Sequence, residues 1–110
     1  MAQGDAIRQA MDEEMARDEN VFITGEDVGP RGGVFRATMG LYDKYGPDRV
    51  IDSPLAELSI VAVGIGAALV GMRPICEIQF ADYIYPAFNQ IINEAAYVYY
   101  RSNGQWHCPM

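Results

Sequence analysis

Glu57 stands directly before the run Leu58 to Gly71, in which every residue except Ser59 is apolar or glycine. A carboxyl group at the mouth of such a run can exchange protons where loops and ligands meet the core. Other polar groups fall at comparable places. Glu26 follows the apolar run Val21-Phe22-Ile23-Thr24, and Gln79 and Tyr83 follow the run that starts at Arg73. Parallel sheets collect ligands beyond the carboxyl ends of their strands, so an acid or amide at each strand end is a candidate for binding or acid–base work. Taken singly, each is better explained as a solvated or structural side chain. Gly32-Gly33 lacks the following helix and lysine of a phosphate loop. The sequence contains no Walker loop, no GxGxxG after a strand, no HExxH, no nucleophile elbow and no CxxC pair.

The elements that must position these groups are readable from spacing. Ser53 is suited to cap a helix and Pro54 to open it, which predicts a central helix running to Gly71 and buried all round. Gly64, Gly66 and Gly71 each cost about 1 kcal/mol relative to alanine, so another backbone is expected close by. The run is too short to span a membrane, which takes roughly 20 apolar residues.

Around that helix, Ala6, Ile7, Ala10, Met11 and Met15 recur at helical steps and predict a surface helix from Ala6 to Arg17. Val21–Thr24 is expected as a strand buried on both faces, and Gly25 to Phe35 as a loop dense in glycine and charge. A short helix over Leu41–Tyr45, stopped by Gly46-Pro47, a strand over Val50–Asp52 and a strand over Arg73–Phe80 follow. From Asp82 the helical pattern returns, with Ile84, Phe88, Ile91, Ile92, Ala95 and Tyr99 on one stripe. Ser102–Gln105 is a turn, and Trp106–Met110 is expected to begin a fourth strand. Strand and helix alternate, so the fold class is α/β, a parallel sheet with flanking helices. One domain over residues 1–110 is expected, as the N-terminal part of a longer polypeptide, because three short strands leave an open sheet edge.

Composition narrows the partners. At 110 residues and 50 % hydrophobic content the chain can pack a core, and a net charge of -7 with Lys44 as the sole lysine leaves no basic footprint for nucleic acid or an anionic membrane. Cys76 and Cys108 are expected as buried or idle thiols. His107 is the only histidine, so no multi-histidine metal cluster can form. The N-terminus lacks the basic-then-apolar pattern of a signal peptide, and a cytoplasmic location is expected.

Taken together the stretches are far more specific than any one motif. Gly25-Glu26-Asp27-Val28-Gly29, Gly32-Gly33-Val34-Phe35, Lys44-Tyr45-Gly46-Pro47-Asp48-Arg49-Val50, Asp52-Ser53-Pro54-Leu55-Ala56-Glu57, Glu77-Ile78-Gln79-Phe80-Ala81-Asp82-Tyr83 and Tyr100-Arg101-Ser102-Asn103-Gly104 resemble, in order and spacing, the beta subunit of thiamine diphosphate-dependent 2-oxo acid dehydrogenases. The stretch from Gln79 to Ile84 looks most like the branched-chain members. The resemblance implies a transketolase-like pyrimidine-binding fold. It also implies an alpha subunit that holds the diphosphate and Mg2+ in an alpha2beta2 heterotetramer, a lipoyl-bearing acyltransferase component, and a 2-oxo acid substrate.

By motif match Glu57 would be the catalytic acid against the aminopyrimidine. Leu55 and Ala56 would line its wall, Tyr83 would pack on the ring, and Glu26, Gln79 and Pro86 would complete the cofactor pocket. His107 falls elsewhere from the family's substrate-site histidine and does not inherit its role. The fragment alone is expected to be inactive. The alternatives are another transketolase-like thiamine enzyme, such as a deoxyxylulose phosphate synthase, or a non-catalytic flavodoxin-like binding module.

Overall fold

The computed structural model describes residues 2–110. Helix α1 (Gln3–Arg17) turns Met11 and Met15, one helical turn apart, onto the core, and keeps its charges outside in the pairs Arg8–Asp5 and Arg17–Glu14. Strand β1 (Val21–Gly25) is buried at all five positions. It lies between β2 (Val50–Asp52) and β3 (Arg73–Cys76) in a parallel sheet of order β2-β1-β3, with Ile23 opposite Val50 on one side and Ile75 on the other. A continuous apolar run is what a strand covered on both faces requires.

The first core holds Met11, Met15, Val21, Ile23, Val28, Leu41 and Val50, and it joins α1 and the short helix α2 (Leu41–Tyr45) to the sheet. Arg49 ties the corner. Its guanidinium donates to the carbonyls of Met15, Asp18 and Val21 and stacks over the Tyr45 ring at 5.2 Å.

The central helix, α3 (Glu57–Leu69), starts later than the Ser53-Pro54 signal predicts. Ser53 donates to the Pro54 carbonyl instead of capping, and Ala56 takes the cap position without a side-chain bond. Its burial also differs from expectation. Ile60, Val61, Gly64, Ile65 and Ala68 face the core, while Val63 is 60 % exposed and Gly66 meets nothing within 4 Å. The glycines therefore serve separate ends. Gly64 makes room for the Cys76 side chain rather than for a backbone, and Gly71, at φ +101°, turns the chain from α3 into β3.

Strand β3 stops at Cys76 rather than at Phe80, because β1 runs out at Gly25; the last rung is the Glu77 amide donating to the Thr24 carbonyl at 2.9 Å. The helix expected from Asp82 is broken into a 3-10 turn (Ala81–Ile84), α4 (Tyr85–Gln90), a π-helical segment (Ile91–Ala96) and α5 (Val98–Arg101). A π segment rotates the helix face, and the residues that pack on Val61 and Ile65 are Ala87, Ile91 and Ala95, whereas Phe88, Ile92 and Tyr99 lie exposed. Asn103 and Gly104, both at positive φ, form the expected turn.

Trp106–Met110 does not form a strand. Cys108 packs into the α3–α4 cluster, and the Met110 amide closes back onto the Cys108 carbonyl at 3.1 Å. Both cysteines are free. Among the described residues no helix is long and apolar enough to cross a membrane.

Candidate active site

Three glutamates gather beyond the carboxyl end of the sheet. Glu26 leaves β1 into a core position and is only 8 % exposed, since Asp27 at φ 57° folds the following loop back so that the Gly33 amide reaches the Asp27 carbonyl at 2.8 Å. The loop is pinned at its far side by Asp52, whose carboxylate accepts from the Gly29 amide at 2.7 Å, and by Thr38, whose buried hydroxyl donates to the Val28 carbonyl at 2.7 Å. Glu57 is the first residue of α3 and half-buried, where the amide end of a 13-residue helix favours a carboxylate. Glu77 follows β3, half-buried under the same loop, with Oε1 3.3 Å from where a Cβ on Gly33 would sit.

Burial dominates the electrostatics. It pushes the Glu26 carboxyl above the ordinary carboxylate range, the charges of Glu57 and then Asp27 push it further, and the Ala56 amide opposes them. Burial raises Glu77 in the same way, with the charge of Glu26 adding to it. Oε1 of Glu26 and Oε2 of Glu77 are buried with no hydrogen-bond donor from the protein. Unpaired buried acceptors are costly, so each of these oxygens is open to a donor from water or a ligand.

The structure brings four of the expected residues together. Glu57 lies near enough to raise Glu26, the Ala56 amide is directed at the Glu26 carboxyl, and the Gln79 side-chain amide donates to the Glu26 carbonyl at 3.3 Å. The other three lie on an exposed rim. Leu55 is 83 % exposed on the bend before α3, Tyr83 is half-exposed on the 3-10 turn, and Pro86 sits in the first turn of α4, where no amide hydrogen is needed.

Glu77 is the residue that sequence reasoning passed over. Its signal was there, since an acid at the end of β3 matches Glu26 at the end of β1, but reading the strand through to Phe80 hid it. Phe35 and Phe80, part of the motif stretches, were assigned no role from the sequence. Their rings lie edge-on at 5.3 Å, and Phe80 meets Tyr83 in the same way at 5.2 Å.

A separate recess of about 400 Å³ on the same loop is lined by Asp27, Arg31, Gly33, Val34 and Arg36 and includes none of the three glutamates. Among the described residues, no three His, Cys, Asp or Glu side chains converge as metal ligands.

A three-stranded parallel sheet with acids gathered beyond its carboxyl edge places them where α/β layers commonly bind ligands. The whole chain, residues 1–110, matches the transketolase pyrimidine-binding domain, and it belongs to that family. This membership replaces the flavodoxin-like alternative.

Among curated proteins, it is 64 % identical over 106 residues to the 2-oxoisovalerate dehydrogenase subunit beta of Bacillus subtilis (strain 168), covering 96 % of this chain and 32 % of that one. It is 51 % identical over 105 residues to the protein of the same name in Pseudomonas aeruginosa, covering 96 % of this chain and 30 % of that one. It is 47 % identical over 106 residues to the pyruvate dehydrogenase E1 component subunit beta of Acholeplasma laidlawii, with 96 % and 32 % covered. The chain thus spans about a third of the length of the curated relatives it matches.

Proposed function

We propose that this chain is the pyrimidine-binding part of the beta subunit of a 2-oxo acid dehydrogenase that decarboxylates a branched-chain substrate such as 3-methyl-2-oxobutanoate and passes the acyl group to a lipoyl carrier. The observation that carries the reading is the buried Glu26 beside Glu57 at the head of α3, in a chain whose family binds a pyrimidine. An aminopyrimidine presents an amine donor and ring nitrogens. The orphaned acceptors of Glu26 and Glu77 complement such a donor, and the Tyr83 ring and Leu55 offer apolar faces for its plane.

The cofactor of this reading is thiamine diphosphate, with its diphosphate and Mg2+ held by a partner alpha subunit. When bound, it supplies a carbon nucleophile and an electron sink for the carboxylate bond that breaks. This chain's own residues act on protons and position. Glu57 holds a proton for the pyrimidine ring nitrogen. Burial holds the Glu26 carboxyl beside it above the ordinary carboxylate range, so Glu26 gives up its proton less readily than an exposed acid. Gln79 fixes the Glu26 backbone. The exposed aromatic surface of Tyr85, Phe88, Tyr97 and Tyr100 suits burial against the alpha subunit in an alpha2beta2 assembly.

The test is Glu57→Gln in the complete alpha/beta enzyme, following exchange of the cofactor's thiazolium C–H with deuterium at saturating cofactor. Loss of a positioned acid predicts slowing by about 100- to 10,000-fold, with a much smaller loss of cofactor affinity. Exchange at the wild-type rate overturns the reading. Pyruvate is the second substrate reading, favoured by the relative from Acholeplasma laidlawii. Carbon dioxide release from the two acids, measured side by side, separates them.

A further inference from the structure

Tyr83 is poorly held by its own segment. It sits on a four-residue 3-10 turn, its amide donates to the Phe80 carbonyl at 2.9 Å, and the residue is 46 % exposed. What meets the ring is Phe80, edge-on at 5.2 Å and 63°, and Phe80 in turn meets Phe35, at 5.3 Å and 70°. Phe35 belongs to a different part of the chain, the loop after β1 that begins at Glu26. It is 64 % exposed, so its side chain contributes little to the core.

The same two segments are joined a second time where Gln79 donates to the Glu26 carbonyl. Two large apolar rings left half in water are retained only at a cost. Their edge-to-face order gives them a shared orientation that separate exposed side chains would lack.

We propose that Phe35 and Phe80 are positioning residues: a brace in which Phe35 sets Phe80, and Phe80 sets the ring of Tyr83 against the pyrimidine-binding wall. The inference rests on the proposed place of Tyr83 at that wall. It makes the loop after β1 act on the site twice, through the Glu26 carboxyl and through the Phe35 ring. A brace of this kind works by preorganisation. It lowers the ordering cost of the wall on binding and needs no contact between Phe35 and the ligand.

The experiment uses the full-length beta subunit with its alpha partner and reads the dissociation constant of thiamine diphosphate with Mg2+ by calorimetry, alongside the melting temperature without cofactor. Phe35→Leu is expected to weaken binding by about 2- to 10-fold, the range of one aromatic pair, with the melting temperature unchanged. Phe35→Tyr, which keeps the ring, restores affinity.

In a Tyr83→Leu background, which itself weakens binding, Phe35→Leu has no further effect, because its only route to the ligand is gone. Wild-type affinity in Phe35→Leu overturns the brace while leaving the pocket intact if Tyr83→Leu still weakens binding. An undiminished Phe35→Leu effect in the Tyr83→Leu background also overturns it. Unchanged affinity in Tyr83→Leu alone overturns the placing of Tyr83, and the brace with it.

Discussion

The thiol of Cys76 occupies the space that a side chain on Gly64 would need, and it donates to the Ile60 carbonyl one turn earlier on α3 at 3.5 Å. Gly64→Ala gains about 1 kcal/mol of helix propensity but forces a methyl into a filled position, which costs about 1–3 kcal/mol. The net expectation is destabilisation of the full-length subunit by up to about 2 kcal/mol, read from urea unfolding. Adding Cys76→Ala removes the clash and recovers most of the loss. A more stable Gly64→Ala single variant would mean that the contact is loose.

Cys76 should also be slow to react. Burial, with a smaller contribution from Cys108, pushes its thiol from 9.0 up to about 11. At pH 8 that leaves about 100-fold less thiolate than in a cysteine at the unshifted value, and the thiolate is the nucleophile. Peptide mass spectrometry after timed iodoacetamide treatment of the folded protein should find Cys76 alkylated about 100-fold more slowly than after denaturation. Equal rates would place the thiol in water.

The raised acids give a pH dependence with a definite sign. Glu26 and Glu77 hold their protons to higher pH folded than unfolded, so between their ordinary value of 4.5 and their raised values the native state binds more protons. Stability therefore falls as pH rises through that window. Glu26→Gln and Glu77→Gln should each flatten the fall, and at neutral pH each should raise the melting temperature of the cofactor-free protein. Melting curves from pH 4.5 to 8 that match the wild type would show that neither acid is held neutral.

Asp52 holds the loop after β1 by a single bond to the Gly29 amide. Asp52→Ala removes a charge-assisted acceptor, an expected cost of about 1.5–3 kcal/mol, and should speed hydrogen exchange at Gly29. Asp52→Asn keeps an acceptor oxygen and should retain most of the protection. Unchanged exchange in Asp52→Ala would show that the loop is held elsewhere.

The sheet and the short helix α2 were legible because buried parallel strands and glycine-proline stops leave dense local signals. Val21, Val50 and Arg73 open the strands where the pattern put them. The start of α3 was misjudged because Ser53 and Pro54 carry a helix-opening signature, yet the Ser53 amide is taken by the Gly25 carbonyl at 2.8 Å, which prolongs the β1–β2 edge. The Phe88–Ile92 stripe failed for a different reason. A π segment moves the packed face onto Ala87, Ile91 and Ala95, and no residue type announces where it falls. In the site, Glu26 and Glu57 could be suspected from strand ends. Glu77 could not be separated from a strand interior until the length of β1 was known.

The order β2-β1-β3 has a consequence for how the chain is made. The central strand is synthesised first, yet Ile23 waits for Val50 on one side and Val21 waits for Arg73 on the other. Until Cys76 has left the ribosome, β1 is a largely apolar ribbon with at most one neighbour. Such distant pairings are slow to form and prone to aggregate while open. The nascent segment from Val21 to Met72 is thus the stage most open to aggregation, and its charged residues, Glu26 and Glu57 among them, favour its staying in solution.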